Sequence, residues 1–216
     1  MARDPDVSEL QKEYRLKRPA ITKRLKQFNK FDRLSERGVF EELVFCLFTP
    51  GSKALNGDRA VKKLKKTKLL YKGAKEKIAK EIRGIVRFHN NKAGYLVEAR
   101  DFFSRGARFR IKKGLIAKDT LATREWLVSN IKGIGYKEAG HFMRNIGLGR
   151  DLVILDTHIL KNLKRFNVIR DIPVSMGKKL YFHIEERMRR FAKDIDIPLD
   201  ALDLLFWSHQ TGFIYK

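Results

Sequence analysis

The sequence predicts an all-α protein, and three observations carry that prediction. Apolar residues recur at three- and four-residue spacing through most of the 216 residues, the mark of helices with one buried face. No Asn-Gly or Asp-Gly pair lies between two alternating apolar–polar runs, so no tight β-hairpin is signalled. Asn56-Gly57-Asp58 falls within a helical context instead. Hydrophobic residues make up 43% of the chain, enough for a packed core and too much for a solvated basic tail. About ten helices with short connections are expected.

Taken in order, Leu10, Tyr14, Leu16 and Ile21 stand among dense Lys and Arg and predict an amphipathic, solvent-edged helix. Phe40, Leu43, Val44 and Leu47 predict a core helix that stops at Thr49-Pro50-Gly51. Ser52 reads as the cap of the next helix, through Val61 and Leu64. The segment from Ala74 to Phe88 carries Ile78, Ile82, Ile85 and Val86 on one face. After His89-Asn90-Asn91 a further helix turns Tyr95, Leu96, Ala99 and Phe102 inward. Thr120 or Thr123 opens the helix of Leu127 and Ile131, which Gly133 and Gly135 break. Another starts near Tyr136 and ends around Gly147 and Gly149. The run Leu152-Val153-Ile154-Leu155 is too short to assign by periodicity, and Asp156 after it reads as an N-cap. Helices over Met176–Phe191 and Leu199–Phe213 complete the chain.

Forty-eight Lys and Arg against 25 Asp and Glu leave a net charge of +23. That much self-repulsion points to a polyanionic partner, nucleic acid first and an anionic membrane surface second. The single cysteine, Cys46, excludes a disulfide framework, a cysteine-rich zinc site and a four-cysteine iron–sulfur cluster. The N-terminus is charged and has no apolar targeting core. The longest charge-free stretch, Leu204 to Tyr215, falls short of the roughly 18 residues of a membrane span. A cytoplasmic or nucleoid-associated chain without a membrane segment is expected. The high charge with few Cys and Gln also matches the composition of hyperthermophile proteins.

The strongest local signal is Asn130-Ile131-Lys132-Gly133-Ile134-Gly135-Tyr136-Lys137-Glu138-Ala139. Two glycines flank one aliphatic residue between amphipathic helices, a helix-hairpin-helix signature. Gly133 and Gly135 permit a tight turn, Ile134 plugs into the helix pair, and the backbone amides up to Tyr136 form an anion site suited to DNA phosphate. A plain glycine C-cap followed by an ordinary turn is the alternative. Lys137 lies on the first turn of the next helix, and Asp156 follows nineteen residues on, at the head of Asp156-Thr157-His158-Ile159-Leu160. One helix and a short connector fit in that gap, so the two side chains can face one cleft. Alone, such a lysine serves as a phosphate contact and such an aspartate as a helix cap.

This arrangement resembles the helix-hairpin-helix DNA glycosylase superfamily, from about Phe40 to the C-terminus. Its bifunctional members carry a lysine at the position of Lys137 and an aspartate at that of Asp156. Asp203-Leu204-Leu205-Phe206-Trp207-Ser208, then Thr211-Gly212 and a terminal Lys216, is similar to the archaeal-type (type 2) 8-oxoguanine DNA glycosylase/lyases. So is Val86-Arg87-Phe88-His89-Asn90-Asn91-Lys92-Ala93. One cysteine argues against the endonuclease III branch, which holds a cluster on four. The resemblance implies a two-lobed fold: residues 34–148 in one lobe, residues 1–33 and 149–216 in the other, with double-stranded DNA across the cleft.

It also implies the chemistry. The target base is flipped out. Lys137, as a neutral amine, attacks C1′ and passes to a Schiff base, which acidifies the neighbouring proton and releases the 3′ phosphate. Asp156 stabilises positive charge on the sugar and can help take a proton from Lys137. Trp207 and Phe88 are candidate platforms for the base, with core packing as the alternative for each. Lys216 presents an ammonium and a carboxylate, suited to the reversed N7–C8 dipole of 8-oxoguanine. Carbonyls of Ser129, Ile131 and Ile134 map to a monovalent cation site (Na+ or K+) in related enzymes, and no other cofactor is implied. The five histidines form no metal-ligand spacing. Thr49-Pro50-Gly51-Ser52-Lys53 stands where eukaryotic relatives read the opposite cytosine, so weak opposite-base preference is expected. The expected product is a nicked strand made by a monomer. The rivals are the same scaffold acting on another oxidised base, and a non-catalytic helix-hairpin-helix DNA-binding protein.

Overall fold

The computed structural model describes residues 5–105, 108–115 and 119–214. Among them are eleven α-helices: α1 (Pro5–Phe28), α2 (Glu36–Phe48), α3 (Ala54–Lys66), α4 (Leu69–Lys72), α5 (Lys75–Ile82), α6 (His89–Phe103), α7 (Thr120–Asn130), α8 (Tyr136–Ile146), α9 (Thr157–Arg165), α10 (Lys178–Asp194) and α11 (Leu199–Thr211). A two-residue antiparallel pairing, β1 (Ser104–Arg105) with β2 (Arg108–Phe109), is the one strand pairing among the described residues, and the all-α expectation lacked it. No helix of the described residues is long and apolar enough to cross a membrane.

The chain divides into two compact units, Phe31–Leu148, and Met1–Lys30 joined with Gly149–Lys216. In the first, α2 is the core helix. Val39, Phe40 and every residue from Leu43 to Phe48 are buried on it, including Cys46, and it packs on α3, α6 and α8. Ser35 caps it by accepting from the Gly38 amide, stabilising its start by about 1 kcal/mol. α8 is buried from Ala139 to Ile146 and ends at Gly147 in the left-handed region. The first turn of α8 is therefore carried on a helix clamped along its length.

Four local expectations are corrected. Ser52 is not a helix cap; Lys53 holds that position, and Ser52 Oγ accepts from the Arg87 amide and from Lys92 Nζ. The helix expected over 74–88 ends at Ile82, because Gly84 (φ +73°) and Phe88 (φ +57°) turn the chain into left-handed conformations. Phe102, expected inward, is 46% exposed and packs edge-on against Phe103. Leu16 lies 82% exposed, while Leu10 and Ile21 are buried. A dense cationic helix thus has a narrower apolar stripe than its sequence suggested.

In the second unit α11 packs against α1, α9 and α10. Phe206 stacks on Phe166 at 5.6 Å and lies 6.5 Å from Phe191. The run 152–155 is buried but belongs to neither helix nor strand. Side chains of α10 satisfy its backbone: Tyr181 Oη donates to Val153 O at 2.6 Å, and Glu185 Oε1 accepts from Val153 N at 2.9 Å. A buried extended segment needs such partners, and this stitching delivers Asp156 to the head of α9.

Candidate active site

The hairpin between α7 and α8 is built around one obligatory glycine. Gly133 has φ +87°, and a Cβ there would lie 2.4 Å from Cδ2 of Tyr95. Handedness and space both demand glycine. Gly135 differs from expectation. Its backbone is extended (φ −98°), and an added Cβ would meet only a flexible Glu138 carboxylate at 3.2 Å. Its amide donates to Glu138 Oε2 at 3.3 Å, and Ile134 is 5% exposed, the plug that was expected.

The anion-binding amides are fewer than the motif suggested. Ile134 N–H donates to Ile131 O at 3.1 Å, and the Gly135 amide is spent on Glu138. The first helical amides, at Tyr136 and Lys137, have no intrahelical acceptor and carry the positive end of the helix dipole. The Tyr136 phenol donates to the Glu125 carboxylate at 3.0 Å, so its side chain is committed inside the protein.

Lys137 projects from this first turn with its side chain 25% exposed. Its Nζ lies 2.8 Å from Glu138 Oε1. Glu138 thus grips the hairpin amide with one oxygen and the lysine with the other. Behind them is Lys92, only 3% exposed on the first turn of α6. Its Nζ donates to Phe48 O (2.6 Å), Pro50 O (2.8 Å) and Ser52 Oγ (3.1 Å). Burial, then the like charges of Lys137 and Arg87, push the Lys92 amine down to about 8, and Glu138 works in the opposite direction. Sequence reasoning missed Lys92 and Glu138. The Gly135-x-x-Glu138 spacing was a readable half of a capping box, whereas nothing local marks Lys92 as buried.

Phe88 precedes α6 in the left-handed region, which costs a non-glycine residue about 1–2 kcal/mol. Its ring is 59% exposed, with the Arg87 guanidinium 5.2 Å from the centroid. Core packing is therefore not its role. A strained backbone that presents an apolar ring to solvent is a feature of binding sites.

In the other unit, Asp156 caps α9. Its Oδ1 accepts from both the His158 and Ile159 amides at 2.8 Å. Oδ2 has no hydrogen bond among the described residues, so one oxygen remains for a ligand. Trp207 on α11 is partly exposed and meets His158 edge-on at 6.3 Å and Phe213 at 5.6 Å. The proposed base platform and the capping aspartate therefore share His158 as a neighbour. Lys216 lies outside the described residues.

A Gly-x-Gly hairpin with a side-chain amine on the helix it opens, and a half-used carboxylate at a later helix head, define a helix-hairpin-helix DNA glycosylase of the lysine-bearing kind. Known proteins narrow the class. The helix-hairpin-helix family model described as 8-oxoguanine DNA glycosylase matches residues 21–197. An 8-oxoguanine DNA glycosylase/AP lyase of Fusobacterium nucleatum subsp. nucleatum is 42% identical over 218 residues, covering 100% of both chains. The crystal structure of the Thermotoga maritima 8-oxoguanine DNA glycosylase superposes with a TM-score of 0.85 at 33% identity, covering 97% of this chain and 98% of that one. The Methanocaldococcus jannaschii glycosylase/lyase, in complex with a 15mer DNA containing 8-oxoguanine, gives 0.86 at 32% identity over 96% and 100% of the two chains. The chain belongs to the 8-oxoguanine DNA glycosylase family.

Proposed function

We propose that this chain excises 8-oxoguanine from double-stranded DNA through Lys137 and then cleaves the strand at the resulting abasic site. The observation that carries the reading is the placement of Lys137: an amine on the first turn of a clamped helix, above a phosphate-binding hairpin, beside Glu138 and the buried Lys92. The Glu138 carboxylate orients the lysine, 2.8 Å from its Nζ.

The bond from Lys137 Nζ to C1′ forms as the bond from C1′ to the base nitrogen breaks, and the base leaves with a proton. The secondary amine opens the sugar to an imine. Loss of a C2′ proton then expels the 3′ phosphate, and water releases the lysine. Asp156 Oδ2 offsets the positive charge that builds on the sugar. Phe88 and Trp207 supply aromatic surfaces for the extruded base, each contact contributing ~1–3 kcal/mol, and Lys216 reads its oxidised edge. The Tyr136 and Lys137 amides, at the head of the helix that the hairpin opens, hold a backbone phosphate.

Carbonyls of Ser129, Ile131 and Ile134 would hold a monovalent cation, whose charge would stiffen the hairpin. Ile131 O already accepts from Ile134 N–H, so it offers its second lone pair. The protein works as a monomer on nucleoid DNA. Borohydride reduction tests the central claim. Wild-type protein with an 8-oxoguanine duplex yields a covalent adduct, and Lys137→Gln yields none. Undiminished trapping by that variant removes Lys137 from the reaction.

A further inference from the structure

Behind Trp207 lies a chain of polar side chains that links three helices of one unit. Asn162 on α9 is 2% exposed. Its Nδ2 donates to His158 O at 2.9 Å and to Phe206 O at 3.2 Å. Its Oδ1 therefore faces His209 Nδ1, 3.0 Å away, and accepts from it. The other ring nitrogen, Nε2, meets Glu13 Oε2 of α1. Both nitrogens of His209 thus face side-chain oxygens, one from each neighbouring helix. Glu13 Oε1 takes Lys17 at 2.6 Å, and Lys17 donates on to Ser208 Oγ at 2.9 Å. Ser208 in turn donates to Leu205 O at 2.7 Å.

Two of the links end on residues that flank the base platform, Asn162 on Phe206 and Lys17 on Ser208. Phe206 and Ser208 bracket Trp207, and the His158 backbone is shared with the Asp156 cap. An ordinary helix contact needs no chain of five buried or half-buried polar groups, each of which must be matched to be tolerated. The chain joins three helices, α1, α9 and α11, side chain to side chain.

We propose that Glu13, His209 and Asn162 are positioning residues that fix the C-terminal half of α11, and with it Trp207, for recognition of the extruded base. The N-terminal helix thereby sets lesion discrimination without touching the lesion. The inference rests on the reading of Trp207 as the base platform. Glu13 behaves as such a link should. Burial alone would raise its carboxyl, but the hydrogen bond from Lys17 and the His209 charge hold it below the usual carboxylate range.

Two substrates test it. A duplex with 8-oxoguanine needs base recognition, and a duplex with a preformed abasic site does not. In a Lys137→Gln background, Asn162→Leu and Glu13→Ala each lower the preference for 8-oxoguanine over undamaged duplex by ~10-fold or more. With Lys137 intact, both variants cleave the abasic duplex within ~3-fold of wild type. Glu13→Gln, which still accepts from His209, restores most of the preference. Glu13 is partly exposed, so its variants report even where Asn162→Leu fails to fold. With Trp126→Phe leaving Trp207 as the sole tryptophan, Glu13→Ala shifts its emission in the absence of DNA. Equal losses on both substrates, an unchanged preference, or an unmoved emission each overturn the relay. A wild-type chain that cleaves abasic duplex but shows no preference for 8-oxoguanine overturns the base-platform reading, and the relay with it.

Discussion

Single residues here carry two duties, and substitutions can separate them. Asp156 caps α9 with Oδ1, and Oδ2 is the oxygen proposed to face the sugar. Asparagine caps a helix as well as aspartate does, but it is neutral. Asp156→Asn should therefore melt within a few degrees of wild type while single-turnover excision falls by ~100-fold or more. Paired losses of stability and activity would assign the residue to the helix alone. Lys92 is a second case. Its amine sits at about 8 in the folded chain against an ordinary 10.5, so between those values the unfolded chain binds more protons. Its contribution to stability is least favourable below pH 8 and improves as pH rises through that window. Urea midpoints should show this rise in wild type and not in Lys92→Met. His209, silent in the sequence because it joins no metal pattern, becomes informative only through Glu13 and Asn162.

At the scale of elements, the hairpin shows how far a motif can be read. Gly-Ile-Gly identified the turn, and Ile134 is the buried plug. The two glycines, though, are unequal. Gly133→Ala must force a left-handed φ and drive Cβ into the Tyr95 ring, costing about 2–4 kcal/mol. Gly135→Ala needs only a shift of the Glu138 carboxylate and should cost ~1 kcal/mol or less. Chemical denaturation of the two variants distinguishes these values; equal costs would show that the turn is not governed by Gly133. The early end of α5 has a similar lesson. Ile85 and Val86 continue the apolar spacing, yet Gly84 turns the chain and Phe88 follows in an exposed, left-handed position. Periodicity reports a buried face and says nothing of where the backbone breaks from it. The run 152–155 remained unassigned for the converse reason: its hydrogen bonds go to Tyr181 and Glu185, which are remote in sequence.

For the whole molecule, the charge of +23 has a thermodynamic consequence. Each phosphate neutralised releases counterions, so affinity for undamaged duplex should fall by ~100-fold or more between ~50 and ~200 mM salt. Excision from the bound complex, in single turnover with excess enzyme, should change by only ~3-fold, because the role proposed for Lys137 is that of a nucleophile and not of one more phosphate contact. A flat binding curve, or excision as salt-sensitive as binding, would contradict that division.

Helical class, the helix-hairpin-helix turn and the capping of α9 by Asp156 were legible in one dimension, because each rests on local spacing, backbone handedness or a short motif. The exposure of Phe88 was not, and neither were the burial of Lys92, the grip of Glu138 on Lys137 or the joining of Glu13 to His209 across the length of the chain. These depend on which side chains packing brings together and which polar groups it isolates from water. That is a property of contacts between segments, and no segment carries it alone.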